Sequence, residues 1–345
     1  MSRELHFIRA NKTKFGGAER YLSRLTEALK KQNIDFKIVN SIFPKFLPSW
    51  LRVILFNFQV CLFKNDKFYF SLDRITCPDI YRAGDGVHKV FLDIKKKSKL
   101  NLLHPIYLFL EKRCFKNAKC IIANSLMVKE QIINCYDINP NKVKVVFSGI
   151  ESKEIHYQKA FEKLSKQYLI NEDQFILLYV GSGFQRKGVK EFLKIISRLD
   201  KNNIMAFVIG KEKNINYYQK LAKELYLENK VVFTGPREDV DDFYAISDIF
   251  ILPTYYDPFS NVVLEAMHFE NVVFTTKQNG ASEILDDYFI MDSPKDLSVV
   301  SRINDLIVNQ AKLKQIKKDN RAKSKQFSIE KNLSETLKVI NEVIN

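Results

Sequence analysis

From residue 174 onward the chain alternates short, almost uninterrupted apolar runs with stretches whose apolar positions recur every three or four residues. The runs "QFILLYVG", "IMAFVIG", "KVVFTG", "DIFILPT" and "NVVFTT" read as strands, and "KGVKEFLKIISRL", "NYYQKLAKELYL", "REDVDDFYAIS" and "FSNVVLEAMHF" between them read as helices. Strands that are apolar throughout belong to a sheet covered on both faces, and strict alternation with helices makes that sheet parallel. The pattern predicts a doubly wound α/β domain, in which ligands sit at the carboxyl ends of the strands. The first half opens in the same way, with strand "LHFIRA", a loop holding Gly16 and Gly17, helix "AERYLSRLTEALKKQ" and strand "FKIVN". Further strands are expected at "KFYFSL", "KCIIANS" and "KVKVVFSGI". A chain of 345 residues is long for a single core. We therefore expect one Rossmann-like domain over 1–155, a second over 170–325, and a polar helix over 326–345.

Charge separates the halves more sharply than pattern does. The whole net charge of +15 falls on residues 1–150, and residues 151–345 are neutral. One domain is thus expected to face something polyanionic: nucleic acid, anionic lipid or a phosphorylated glycan. Five cysteines (Cys61, Cys77, Cys114, Cys120, Cys135) without a CxxC pair point to a reducing compartment and buried thiols, with no metal or disulfide. The start "MSRELHFIRANKTK" is too charged for a signal peptide, and "LRVILFNFQVCLF" is interrupted by Arg52, Asn57 and Gln59 and shorter than the ~20 residues a bilayer requires. A cytoplasmic protein that touches a membrane is the expectation.

The stretch "GSGFQRKGVKEFL" at 181–193 joins a strand to a helix. It is not a Walker A loop, because Gly183 and Gly188 have the GxxxxG spacing but Val189 and Lys190 follow, and it lacks the third glycine of a dinucleotide fingerprint. What it offers is a glycine turn with Arg186 and Lys187 at the mouth of a helix, a fork and a point charge suited to a diphosphate. In "YYDPFSNVVLEAMHFE", Asp257 and Glu265 bracket a helix whose start at Ser260 and Asn261 presents free amides to an anion. Glu265 is placed to accept two hydroxyls of a ribose. In "AGDGVHKVF", Asp85 and His88 lie in a glycine-punctuated loop suited to lining a sugar site. Plain alternatives exist for each: a solvated basic turn, ordinary helix-end charges, a structural histidine. The other histidines form no metal-like cluster, and no metal or cofactor is expected.

The segments "FGGAER", "GSGFQRKG", "FTGPREDVDDFYAISDIFILPT" and "DPFSNVVLEAM", in this order, resemble the retaining glycosyltransferases of family 4. Within that family, "DIYRAGDGVHKVFLDI" is similar to the lipopolysaccharide core glucosyltransferase I group. The resemblance runs from about residue 5 to 290. It implies a GT-B fold, two Rossmann-like domains facing across a cleft, with the last helix packing back on the first. It also implies a nucleotide-sugar donor, UDP-glucose favoured, bound by the second domain without metal, and an acceptor bound by the first. By the resemblance Arg186 and Lys187 neutralise the leaving diphosphate, Arg237, Ser260 and Asn261 also bind the donor, and Glu265 holds the ribose. Asp257 faces the transferred sugar, where the family usually has a glutamate, and this departure leaves the identity of the sugar open. Gly16 and Gly17 let the first loop approach the donor phosphates.

The basic half finds a use in "LDIKKKSKLNLLHPIYLFLEKRCFKNAK", where Lys95, Lys96, Lys97, Lys99, Lys112 and Arg113 flank an aromatic and aliphatic helix, the composition of an anionic-membrane contact. The segment "PSWLRVILFNFQVCLFK" is a second candidate contact. The leading expectation is a retaining hexosyltransferase acting on a lipopolysaccharide or lipooligosaccharide core, peripherally bound at the inner face of a bacterial membrane. Alternatives are transfer of another hexose or an N-acetylhexosamine to a capsular or lipid-linked glycan, and a basic nucleic-acid-binding protein. The last lacks any recognisable reading module, and an NAD-dependent oxidoreductase lacks both its glycine fingerprint and its ribose acid.

Overall fold

The computed structural model describes residues 4–11, 17–95, 101–200 and 203–344. These residues form two compact units, one running to Phe147 and resuming at Glu330, the other Ser148–Ile329. In the first unit the elements are β1 (Leu5–Ile8), α1 (Gly17–Lys31), β2 (Phe36–Val39), α2 (Ser49–Leu62), β3 (Phe68–Ser71) and β4 (Ile80–Ala83). They continue with α3 (His88–Lys95), α4 (Leu103–Asn117), β5 (Cys120–Ala123), α5 (Leu126–Tyr136) and β6 (Val143–Val145). The second holds α6 (Tyr157–Tyr168), β7 (Phe175–Val180), α7 (Phe184–Lys187), α8 (Val189–Ile196), β8 (Ile204–Ile209), α9 (Ile215–Glu224) and β9 (Val231–Gly235). After these come α10 (Val240–Ile246), β10 (Ile249–Leu252), α11 (Asn261–His268), β11 (Val272–Thr276), β12 (Ile290–Met291), α12 (Val299–Val308) and α13 (Gln310–Ser324). A final helix, α14 (Ile329–Ile344), closes the described chain.

Among the described residues each unit carries one six-stranded parallel sheet, ordered β2-β1-β3-β4-β5-β6 in the first and β12-β11-β10-β7-β8-β9 in the second. Strands β3, β5, β8, β10 and β11 are buried at every position, which explains why they are apolar apart from Ser71, Thr275 and Thr276. Both sheets reverse their winding once. The chain leaves β1 toward β2 and returns to β3 on the other side of β1; likewise it leaves β7 through β8 and β9 and returns to β10 on the other side of β7. Each reversal opens a crevice beyond the strands' carboxyl ends, between the loops that follow β1 and β3, and between those that follow β7 and β10.

Amphipathic helices cover the sheets. In α1, Tyr21, Leu22, Leu25 and Leu29 are buried at helical spacing, and they meet Leu5 and Phe7 of β1 together with Leu337, Val339 and Ile340 of α14. Full burial of each such side chain contributes about 1.5–3 kcal/mol, so α14 is an integral part of the first unit's core. Tyr21 and Thr336 add a hydroxyl pair at 3.0 Å. In the second unit the Ile150 amide donates to Phe327 O at 3.0 Å and the Ile329 amide to Ile150 O at 3.2 Å. A Cβ on Gly149 would lie 2.2 Å from Ser328 O, so this side-by-side passage requires glycine.

One expectation is corrected. Cys61, on α2, and Cys77, in the β3–β4 connection, form a disulfide with their Cα atoms 5.8 Å apart. A count of cysteines and their spacing does not show that the end of a helix and a loop sixteen residues further on meet. Cys114 and Cys120 are buried thiols and Cys135 is half-buried, and burial pushes the pKa of each up. Among the described residues no helix is long and apolar enough to cross a membrane.

Candidate functional site

In the second unit the crevice between β7 and β10 is built by two loops that bind each other. The first is the single turn α7, bounded by Gly183 and Gly188, both with left-handed backbone (φ +74° and +80°). A Cβ on Gly188 would come within 1.9 Å of Pro253 O, so the two loops touch only because this position is glycine. The Glu212 carboxylate accepts the Phe184 amide at 2.9 Å and fixes the start of the turn. The second loop, after β10, donates the Tyr255 amide (2.9 Å) and the Thr254 hydroxyl (3.1 Å) to Arg186 O.

Four of the expected residues come together here. Lys187 is buried; its Nζ donates to Ser260 Oγ at 2.9 Å and is ion-paired with Asp257 Oδ2. Arg186 Nη1 donates to Tyr256 O at 2.6 Å and to the same Asp257 Oδ2 at 3.2 Å. Burial alone would raise the pKa of Asp257, but Lys187 and Arg186 hold it below the ordinary carboxylate range. The backbone of Asp257 is fixed as well: its amide donates to Gln278 O at 3.0 Å and its carbonyl accepts the Gly280 amide at 2.9 Å. Ser260 is the residue before α11; its hydroxyl accepts from Lys187 and makes no capping bond to that helix. Two cations thus stand beside an uncapped helix N-terminus, a setting for an anion with more than one phosphate.

The remaining donor-side residues take no part in the hydrogen bonds just described. Asn261 is exposed at the first position of α11, and Glu265, a turn further along, accepts from the Tyr244 hydroxyl at 3.3 Å. Arg237 follows β9, at the far edge of the sheet, and is bound bidentately to Asp239 with two hydrogen bonds of 2.7 Å. That bond from Arg237 is the main reason the Asp239 carboxyl lies well below its usual range. Gly17 opens α1, and a Cβ there would meet nothing within 4 Å; Gly16 lies outside the described residues.

In the first unit, Asp85 is exposed in the turn after β4, and His88 begins α3, with Nε2 3.2 Å from His104 Nδ1. His88 belongs to a polar network that the sequence does not reveal. Glu111, fully buried on α4, accepts the His88 amide (2.7 Å), the Tyr136 hydroxyl (2.6 Å) and Arg74 Nε (2.9 Å), while Arg74 Nη2 donates to Gly86 O at 3.0 Å. Beside it Arg9 is bound to Glu19 (2.7 Å) and Asp73 (3.0 Å), and the Ala10 amide donates to Asp73 at 2.6 Å across the β1–β3 crevice. Burial raises the pKa of Asp73 against the pull of Arg9, with Asp85 adding like charge. Charged residues where an apolar run ends, Arg9 directly after β1 and Asp73-Arg74 one residue beyond the end of β3, are the available signal. Lys112 and Arg113 are exposed on α4, Arg113 over the ring of Phe109, which is itself more than half exposed; Leu102, also more than half exposed, stands at the other end of the helix. Lys96, Lys97 and Lys99 lie outside the described residues, as does the side chain of Lys95.

Two family models match this chain: glycosyl transferases group 1 over residues 160–323 and glycosyltransferase family 4 over residues 81–154. The lipopolysaccharide glucosyltransferase WaaG of Escherichia coli K12 is 27% identical over 227 residues, 61% of this chain and 58% of that protein. Matches to the first curated relatives span 44%, 39% and 58% of those proteins' own lengths. The crystal structure of WaaG superposes with a TM-score of 0.80 at 19% identity, covering 97% of this chain and 99% of that one. Anabaena HepE in complex with UDP and glucose gives 0.76 at 16% identity, covering 99% and 100%. These superpositions identify the fold as GT-B.

Proposed function

Because the chain belongs to the glycosyltransferases described by these two models, we propose that it is a retaining hexosyltransferase using a nucleotide-sugar, UDP-glucose first, to extend a lipopolysaccharide or lipooligosaccharide core at the inner face of a membrane. The observation that carries this reading is the convergence of Lys187, Arg186 and Ser260 at the uncapped start of α11, in the crevice between β7 and β10. Its relatives include WaaG, and UDP with glucose occupies the HepE structure.

In the proposed reaction the bond between the sugar's anomeric carbon and the diphosphate breaks, and negative charge grows on the leaving phosphate. Arg186, Lys187 and the first amides of α11 meet that charge with preorganised donors, in the role that a metal ion plays elsewhere. The acceptor hydroxyl oxygen forms the new bond on the face the diphosphate leaves, and its proton passes to the departing phosphate. Glu265 would hold the ribose, and Asp257 a hydroxyl of the transferred sugar; Asp85 and His88 would line the acceptor side. Lys112 and Arg113, exposed next to Phe109 on α4, support peripheral contact with anionic lipid. The short arm of Asp257 favours one second reading, transfer of a different hexose or an N-acetylhexosamine to another lipid-linked glycan.

Thermal unfolding with UDP, GDP, ADP or NAD, in EDTA, tests the donor assignment. A ligand at 100 times its dissociation constant adds about 2.7 kcal/mol of stability. We expect an upward shift with UDP; a shift with GDP or ADP alone would discard the UDP assignment, and none with any nucleotide would discard the donor site.

A further inference from the structure

We propose that the Asp257 carboxylate is the internal counter-anion of the diphosphate site, seated on Lys187 and Arg186 until the donor's phosphates displace it, and returning to them when the nucleoside diphosphate leaves. The inference rests on the donor-site reading above and adds to it a competition within the site.

Three observations carry it. First, one carboxylate oxygen, Oδ2, is ion-paired with Lys187 Nζ and lies 3.2 Å from Arg186 Nη1, so the two cations assigned to the phosphates already share an anion. Second, Asp257 and Lys187 are both buried, and water is a poor substitute for either partner. Whatever takes Lys187 from the carboxylate must itself be an anion. Third, the backbone of Asp257 is held on both sides by Gln278 and Gly280, so the carboxylate moves only by turning its own short side chain. A two-carbon arm on a fixed backbone stays within reach of Lys187 throughout the cycle.

The consequences follow from charge. With Asp257 ionised, Arg186, Lys187 and Asp257 together present one net positive charge, whereas a diphosphate brings two or more negative ones. Entry of the diphosphate exchanges one anion for another on Lys187, and the displaced carboxylate is then free to accept a hydroxyl of the transferred sugar. After transfer the sugar has gone, and the carboxylate competes again for Lys187, which speeds release of the nucleoside diphosphate. Asp257 thereby links occupancy of the phosphate site to recognition of the sugar and to turnover.

The test measures UDP binding by calorimetry in wild type and Asp257→Asn. UDP is chosen because it has no sugar to transfer, so loss of a contact to that sugar does not enter. Removing a like charge a few ångströms from the diphosphate should tighten UDP binding on the order of tenfold. In steady-state assays the same variant should show stronger product inhibition by UDP and a lower kcat, a split that a merely structural role would not produce. The comparison is repeated in an Arg186→Gln background, where Asp257→Asn leaves one cation fewer without a partner and folding is less at risk. Asp257→Glu, which keeps the charge, should bind UDP within about threefold of wild type. Unchanged or weaker UDP binding in Asp257→Asn, while wild type binds UDP, would overturn the counter-anion and leave the donor site standing. No nucleoside diphosphate bound by wild type would overturn both.

Discussion

Replacing Lys187 by alanine removes the cation that serves the buried carboxylate of Asp257 and, in the proposed reaction, the leaving diphosphate. The cost to stability is worked from what remains. Asp257 keeps Arg186, whose side chain is about a third exposed, and the Phe259 amide at 3.2 Å. Ser260 Oγ loses its donor. Breaking a buried pair on one side costs roughly 3–5 kcal/mol when the survivor is left alone; with Arg186 still in place the loss should be about 1–3 kcal/mol. Proton linkage supplies a further signature. The carboxyl of Asp257 is held below its ordinary range in the folded protein, so the pair's stabilisation is fully present above the unfolded value of ~3.9 and is lost as pH falls through the folded value. The stability gap between wild type and Lys187→Ala should therefore be full at neutral pH and close as pH is lowered below about 4. For catalysis, deleting one preorganised donor to a developing oxyanion costs about 10²–10³ in kcat. Sugar transfer from UDP-glucose to a core glycan, followed by release of UDP, gives kcat; chemical denaturation at several pH values gives the gap. A kcat within threefold of wild type, or a stability gap independent of pH, would refute the role assigned to this lysine.

Glu111→Ala should be among the most damaging changes in the first unit, because it strands the buried Arg74 guanidinium and removes the acceptor of the His88 amide and the Tyr136 hydroxyl; we expect a loss of about 3–5 kcal/mol, read by denaturant melting, and a loss below 1 kcal/mol would show that the network is dispensable. Lys112→Gln with Arg113→Gln should weaken sedimentation with phosphatidylglycerol vesicles by about 30-fold at low salt, from ~1 kcal/mol per charge near the surface. UDP binding should be unchanged in that variant, and undiminished vesicle binding would remove α4 from the membrane contact.

How far the sequence carries the fold is clearest where two strands differ. β10 reads plainly because all four of its residues are buried and apolar. β4 does not, because Arg82 interrupts "IYRA" and looks like a surface charge. In the structure Arg82 lies over the ring of Tyr21, 3.8 Å from its centre, so the cation is accommodated by an aromatic face on α1, far away in sequence. The run at 51–63 is similarly ambiguous: judged against the length of a bilayer it is too short, yet as α2 it buries Phe56 and Val60 while Ile54, Phe58 and Leu62 stay exposed. Periodicity reports which residues are apolar and leaves open what each of them faces.

The same limit governs the site. Arg186, Lys187, Asp257 and Ser260 stand out locally, as a basic turn and a helix start, and the switch in winding between β7 and β10 brings them together. No local pattern reveals that Asp257 is seated on the two cations, since an aspartate about 70 residues away has no signature of its partner. Arg74 and Glu111 carry no local signature for the same reason, 37 residues apart and each unremarkable alone. Charged residues where an apolar run ends are the exception that generalises. In a doubly wound sheet that position faces the crevice, so Arg9, Asp73 and Arg74 should be weighed as candidates wherever an apolar run ends on them. By that rule the first unit's crevice, where Arg9 and Asp73 join the ends of β1 and β3, is the place to test for contacts with the proposed acceptor.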